Sequence, residues 1–242
     1  MLNQILKFNP KESTMMHIDL NSCFATIEQQ ANVNLRGKPI AVAAYNSPKG
    51  CIVAPSIEAK QYGVKVGMRV MDGKSLCPNL QVLEPDPWKY RNVHLQLRKL
   101  FEKYTNDVVP KSIDEFVLNL EGYPAYKRGM VTVGQEMKSR IKAEIGDWLT
   151  VNVGIAPNRF LAKTAAGLHK PDGLDEINIY NFEDTYKHLE LEDLCGISRN
   201  NAVRLNRVGI FTVEEMYKAE LWQLKSAFES INGYYWYVRL RG

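Results

Sequence analysis

No window of the sequence approaches the roughly 18 consecutive apolar residues that a membrane span needs, and only a short mixed stretch precedes Met15. Neither a spanning helix nor a leader is predicted, and the chain reads as a soluble intracellular protein. Cysteine is scarce: Cys23, Cys51, Cys77 and Cys195 lie far apart and form no CxxC pair or Cys/His cluster. That spacing argues against a structural zinc site and a disulfide framework. Internal repeats and low-complexity tracts are absent, and the charge excess is small, +4 in total.

What is present is a length of 242 residues with 45% hydrophobic and 24% charged positions, enough for one large domain with smaller attachments. The distribution of charge says more than its sum. Arg36, Lys38, Lys49, Lys60, Lys65, Arg69 and Lys74 face only Glu58 and Asp72. From Leu194 onward, Arg199, Arg204, Arg207, Lys218, Lys225, Arg239 and Arg241 face four glutamates. Two separate basic segments suit a polyanion or a triphosphate, although solvated faces account for either one alone about as well.

Periodicity predicts a buried strand over Met15–Leu20, followed by a helix to Gln30 that Ser22 caps. Pro39–Ala44 and Cys51–Ala54 read as strands, Pro55–Tyr62 as a short helix stopped by Gly63, and Pro87–Tyr104 as a long helix. Val108–Val109 and Phe116–Leu120 look paired, Tyr126–Ile145 is an amphipathic helix, and Leu149–Ile155 alternates like a strand. Asn158 caps a helix to Leu168. Strands interleaved with long helices indicate an α/β or α+β sheet with helices on one face. Past Gly173 the texture changes to short helices punctuated by glycine, so a small helical domain is predicted from about Ile179.

Asp19 ends an apolar strand, where an unpaired charge inside the sheet would be costly; it points into a cleft or caps the next helix. Asp114 and Glu115 open another apolar strand. Adjacent strand residues point to opposite sides unless the backbone bends there. Such a pair beside Asp19 repels itself and would be stabilised by a divalent cation. Three carboxylates on neighbouring strands match two-metal phosphoryl transfer, in which oxygen ligands hold two ions about 3.5 to 4 Å apart.

At these residues the chain resembles the Y-family DNA polymerases, with UmuC-like and DinB-like branches. Asp19-Leu20-Asn21-Ser22-Cys23-Phe24-Ala25-Thr26-Ile27-Glu28 is similar to the family's first motif, Lys111-Ser112-Ile113-Asp114-Glu115 to its second, and Gly154 to Lys163 with Lys170-Pro171-Asp172-Gly173 to a third. The resemblance implies an α+β fold: a ferredoxin-like palm of residues 1–22 and 83–178, small fingers of 23–82 and a helical, helix-hairpin-helix thumb of 179–242, with no little-finger domain following. It implies Asp19, Asp114, Glu115 and the Leu20 carbonyl as ligands of two Mg²⁺ ions, for which Mn²⁺ can substitute. Asn21, Ser22, Cys23, Phe24, Lys60 and Lys163 would then meet the incoming nucleotide, Phe24 as the ring that excludes a 2′-hydroxyl and Lys163 on the triphosphate. Gly196, Ser198, Arg199 and Arg204 would touch DNA phosphates.

Three departures stand out, one of them Asn119, where the family often has aspartate after the strand. In Ser56-Ile57-Glu58-Ala59-Lys60 the family's tyrosine and arginine are replaced by Ile57, which cannot donate a hydrogen bond, and Lys60, which lacks the bidentate fork. The hairpin's second glycine is Ser198. The implied activity is template-directed DNA synthesis in lesion bypass, on primer-template DNA and dNTPs. The implied setting is a monomer in the cytoplasm or nucleoid, with a sliding clamp or accessory subunit as a further partner. A non-catalytic DNA-binding scaffold is the competing expectation, and a cyclase-like palm a third that leaves the thumb unexplained.

Overall fold

A computed structural model describes residues 6–242. Strand β1 (Met15–Leu20) leads into helix α1 (Cys23–Ala31). Next come β2 (Ile40–Ala43), β3 (Ile52–Pro55), α2 (Ile57–Gln61), α3 (Val70–Leu76) and β4 (Gln81–Leu83). The chain continues through α4 (Pro87–Phe101), β5 (Val108–Pro110), β6 (Glu115–Asn119), α5 (Met130–Glu144), β7 (Val151–Ala156), α6 (Arg159–Leu168) and β8 (Leu174–Glu176). Short helices follow: α7 (Phe182–Lys187), α8 (Arg199–Asn206), α9 (Val213–Lys218), α10 (Leu221–Phe228) and α11 (Asn232–Arg239).

The main sheet is ordered β5-β6-β1-β7-β8, with β1 antiparallel to both neighbours and β8 parallel to β7. Strand, helix α4, hairpin β5-β6, helix α5 and strand β7 trace a ferredoxin-like βαββαβ unit, which β8 extends by one edge strand. The smaller sheet, β3-β2-β4, packs with α2 and α3 around Ala41, Ile52, Ala59, Val64 and Val70. Class and topology are therefore α+β.

The two-residue period of β1 divides its side chains between two cores. Met16, Ile18 and Leu20 join Leu97 and Phe101 of α4 and Met137 and Ile141 of α5. Met15 joins the other core, with Val117, Leu161, Ala162 and Ala165. Helices thus cover both faces of the sheet, not one as the sequence suggests. The second layer closes because Gly154 and the alanines of α6 let helix and sheet backbones approach.

Other boundaries differ for local reasons. The helix predicted over Tyr126–Ile145 is broken at Gly129, whose φ of 88° no continuing helix can adopt, so a 3₁₀ turn at Tyr126–Arg128 precedes α5. Helix α4 begins at Pro87 because the Asp86 carboxylate accepts from the amides of Trp88 and Lys89. Asn158 caps α6, accepting from the Leu161 amide. Ser22 does not cap α1: its backbone is left-handed (φ 47°) and its hydroxyl bonds no backbone amide of the helix.

The short helices share a core of Phe182, Tyr186, Leu194, Leu205, Met216 and Trp236. The segment around Phe8 straps across them, Phe8 stacking on Phe182 at 4.2 Å. Buried Arg241 donates to the carbonyls of Leu6, Tyr237 and Tyr217 and lies over the Tyr237 ring, so its charge is spread over backbone oxygens and an aromatic face. Among the described residues no helix is long and apolar enough to cross a membrane.

Candidate active site

The corner between β1 and α1 forms one wall of a cleft of about 520 Å³. Asp19, Asp114 and Lys170 line its floor, Phe24 one side, and Val53, Ile57, Lys60 and Val66 from the small sheet's side its roof. Pairing of β1 with β6 places Asp19 opposite Glu115, and the Leu20 amide donates to the Asp114 carbonyl, which fixes where Asp114 stands relative to Asp19. Both carboxylates act on Cys23: burial first, then the charges of Asp114 and Asp19, push its thiol pKa up and keep it protonated.

The acidic groups do not gather as one cluster. Among the described residues no three acidic, histidine or cysteine side chains stand together as a ready cage for a metal. Each carboxylate is met by a positive or polar partner instead. Lys170 pairs with Asp19, the Ser112 hydroxyl donates to Asp114 at 2.5 Å, and Lys163 grips both oxygens of Glu115 at 2.7 and 2.8 Å. Alternation separates Asp114 from its neighbour Glu115, which lines a second cavity of about 780 Å³ with His17, Lys111, Arg159, Lys163, Cys195 and Arg239. The donors in the cleft, two carboxylates beside Leu20, are hard oxygens of the kind Mg²⁺ and Mn²⁺ prefer. The Ser22 hydroxyl in the same wall is buried without a partner, a further polar oxygen available there.

Lys163 therefore stands apart from the cleft where a triphosphate contact was expected. Burial disfavours its ammonium most, but the bond to Glu115 and the negative charges around it together hold its pKa above the ordinary lysine value. Lys170, in the turn after α6, occupies the cleft in its place. Lys60 lines the cleft too; desolvation and then the neighbouring Lys170 charge lower its pKa. Asn21 reaches the cleft wall, but its side-chain oxygen already accepts from Thr150 and from the Asp172 amide, so it braces the site.

Phe24 lies half-buried along the cleft, its ring stacked on Tyr90 at 4.3 Å with 16° between planes. The Tyr90 hydroxyl donates to buried Glu28, which Lys89 also neutralises at 2.8 Å. Sequence reading missed Tyr90 and Lys89 because aromatic and basic residues in an amphipathic helix look like ordinary core and surface. Gly196, Ser198, Arg199 and Arg204 are all exposed at and just after the turn into α8, where Gly196 takes φ 101° against the Trp236 ring.

His17 is buried beside Glu115 at 3.6 Å. Burial, opposed by the Glu115 charge, pulls its pKa from 6.5 down to about 4. An unfolded histidine takes up a proton below pH 6.5 that the folded one refuses until about pH 4, so stability falls as pH drops through that window. The loss should reach up to about 3 kcal/mol. Urea unfolding of the wild type and His17→Asn between those pH values checks it: the variant's profile should be flatter there.

Known proteins resemble this chain in sequence and in fold. Residues 18–167 match the impB/mucB/samB family. DNA polymerase IV 1 of Bacillus subtilis is 36% identical over 224 residues, 92% of this chain and 53% of that protein. DNA polymerase IV of Pseudomonas aeruginosa PAO1 is 32% identical over 222 residues, 92% of this chain and 63% of its own length. The chain thus spans between half and two thirds of these curated relatives. A solved Y-family DNA polymerase chimera of Dbh and Dpo4 superimposes with a TM-score of 0.82 at 25% identity, covering 93% of this chain and 66% of the chimera. By its sequence this chain belongs to the impB/mucB/samB family, and it has the fold of the Y-family DNA polymerases.

Proposed function

We propose that the chain is the core of a template-directed DNA polymerase that adds dNTPs to a primer 3′ end in lesion bypass, acting where the cell's DNA lies. In this reading residues 1–22 and 83–178 are palm, 23–82 fingers and 179–242 thumb. The observation that carries it is the cleft itself: two carboxylates, two ammonium groups and an aromatic ring face one space large enough for a nucleotide. Pocket volumes of about 300 to 1,000 Å³ are typical of small-molecule sites.

Asp19, Asp114 and Leu20 would hold divalent ions, with Glu115 joining when Lys163 gives it up. Such ions activate the attacking hydroxyl and steady the leaving phosphate. The residues around them position the substrate. Lys60 and Lys170 neutralise the triphosphate as point charges, and Ile57 and Val66 cover the base with apolar surface. Arg199 and Arg204 sit where a DNA backbone passing the exposed turn at Gly196 would meet them. Primer extension with Mg²⁺ and each dNTP tests the whole reading, and no extension on any primer-template would overturn it.

Phe24, pinned by Tyr90, would leave no room for a ribose 2′-hydroxyl. Phe24→Ala should therefore raise the ratio of ribonucleotide to deoxynucleotide insertion by roughly tenfold or more. Single-nucleotide insertion with matched rNTP and dNTP measures it; an unchanged ratio would make Phe24 a packing residue.

A further inference from the structure

We infer that Lys170 is an internal counter-cation that occupies Asp19 until a nucleotide arrives, so that ion binding at Asp19 depends on the triphosphate. The inference rests on the proposed role of Asp19 as a metal ligand. Three observations carry it. First, the Lys170 ammonium contacts the Asp19 carboxylate directly, and the carboxylate is the more sheltered partner, 16% exposed against 49% for the lysine. Second, the turn that carries Lys170 is tied down. Asn21 accepts from the Asp172 amide at 2.9 Å, Asn152 from the Gly173 amide at 3.0 Å, and Lys142 pairs with Asp172 at 2.9 Å. The backbone is fixed, and only the half-exposed side chain is free to swing.

Third, the charges in the cleft are arranged for exchange. Lys60 lines the same space and repels Lys170, yet makes no pair with Asp19 among the described residues. A triphosphate offers Lys170 several anionic oxygens in place of one carboxylate and relieves that repulsion. The released Asp19 then has no counter-charge and favours a divalent cation. Glu115 differs in its partner: Lys163, which lines the second cavity and not the cleft, holds both of its oxygens. Of the two lysine-carboxylate pairs, the one on Asp19 is therefore the one that a nucleotide in the cleft meets first.

Binding of Mn²⁺ to the nucleotide-free protein, followed by loss of the free-ion paramagnetic resonance signal, tests this. Lys170→Met should tighten binding about five- to tenfold, whereas Lys60→Met, which removes the same charge from the same cleft, should tighten it less than about threefold. Lys170→Arg, which keeps the pair, should bind like the wild type. The gain should vanish when Lys170→Met is combined with Asp19→Asn. Equal effects of Lys170→Met and Lys60→Met, or a gain that survives Asp19→Asn, would overturn the inference. If Asp19→Asn and Asp114→Asn, each combined with Lys170→Met, bind Mn²⁺ as tightly as Lys170→Met alone, the metal-ligand reading beneath it fails, and the inference falls with it.

Discussion

Asp19→Ala or Asp114→Ala should lower single-turnover primer extension by a thousandfold or more while leaving the fold intact. Ion-held stabilisation of developing charge in phosphoryl transfer contributes several kcal/mol, and about 4 kcal/mol corresponds to roughly a thousandfold in rate. The stability side of the expectation comes from what each carboxylate touches. Asp19 meets only the half-exposed ammonium of Lys170, a kind of pair that contributes about 0 to 1 kcal/mol, and Asp114 is held by one serine hydroxyl. Removing either also relieves mutual repulsion in a cleft where Cys23 already shows both charges. Thermal midpoints should move by only a few degrees. Asp72→Ala, an exposed carboxylate on α3, serves as the control and should change neither quantity. Extension at wild-type rates in either cleft variant would remove the metal assignment.

Much of the sheet was legible because its strands follow a two-residue rhythm that survives in the sequence. Met16, Ile18 and Leu20 alternate with Met15, His17 and Asp19, and the structure turns the first three to one core and Met15 to the other. Strand β8, by contrast, is three residues long and reads Leu-Asp-Glu, with no apolar alternation; only its parallel pairing to β7 makes it a strand. Strand β4 and helix α3 were missed for the same reason, since their burial depends on the small sheet's other members.

The site divides along similar lines. Motif spacing singled out Asp19, Asp114 and Phe24, which line one cleft. The resemblance put Lys163 on the triphosphate and left Lys170 as one residue of the third motif. Helix phase aims Lys163 at Glu115, while the bonds from Asn21 and Asn152 that set the turn over Asp19 come from residues 20 or more positions away in sequence. Pairing across that distance leaves no local signature.

Gly154→Ala should destabilise the protein by about 3 kcal/mol or more, the upper end of the cost of overpacking. A Cβ at this position would stand 2.0 Å from the Ala162 carbonyl oxygen and 2.2 Å from the Ala166 nitrogen. Both are helix backbone, which cannot rotate away as a side-chain tip does. Either α6 lifts from the sheet or β7 shifts against β1, where Gly154 pairs with His17. Lifting α6 opens the contacts of Leu161, Ala162 and Ala165 in the core shared with the short helices, and draws Lys163 away from Glu115. Activity should therefore fall together with stability, unlike the cleft variants, which lose activity alone. Gly167→Ala on the same helix is the contrast: its added methyl meets nothing within 4 Å, its φ is not positive, and alanine should hold stability level or raise it by up to about 1 kcal/mol. Urea midpoints for the two variants measure the difference directly. A Gly154→Ala protein that unfolds at the wild-type midpoint would mean that α6 does not lie against β7 at this separation.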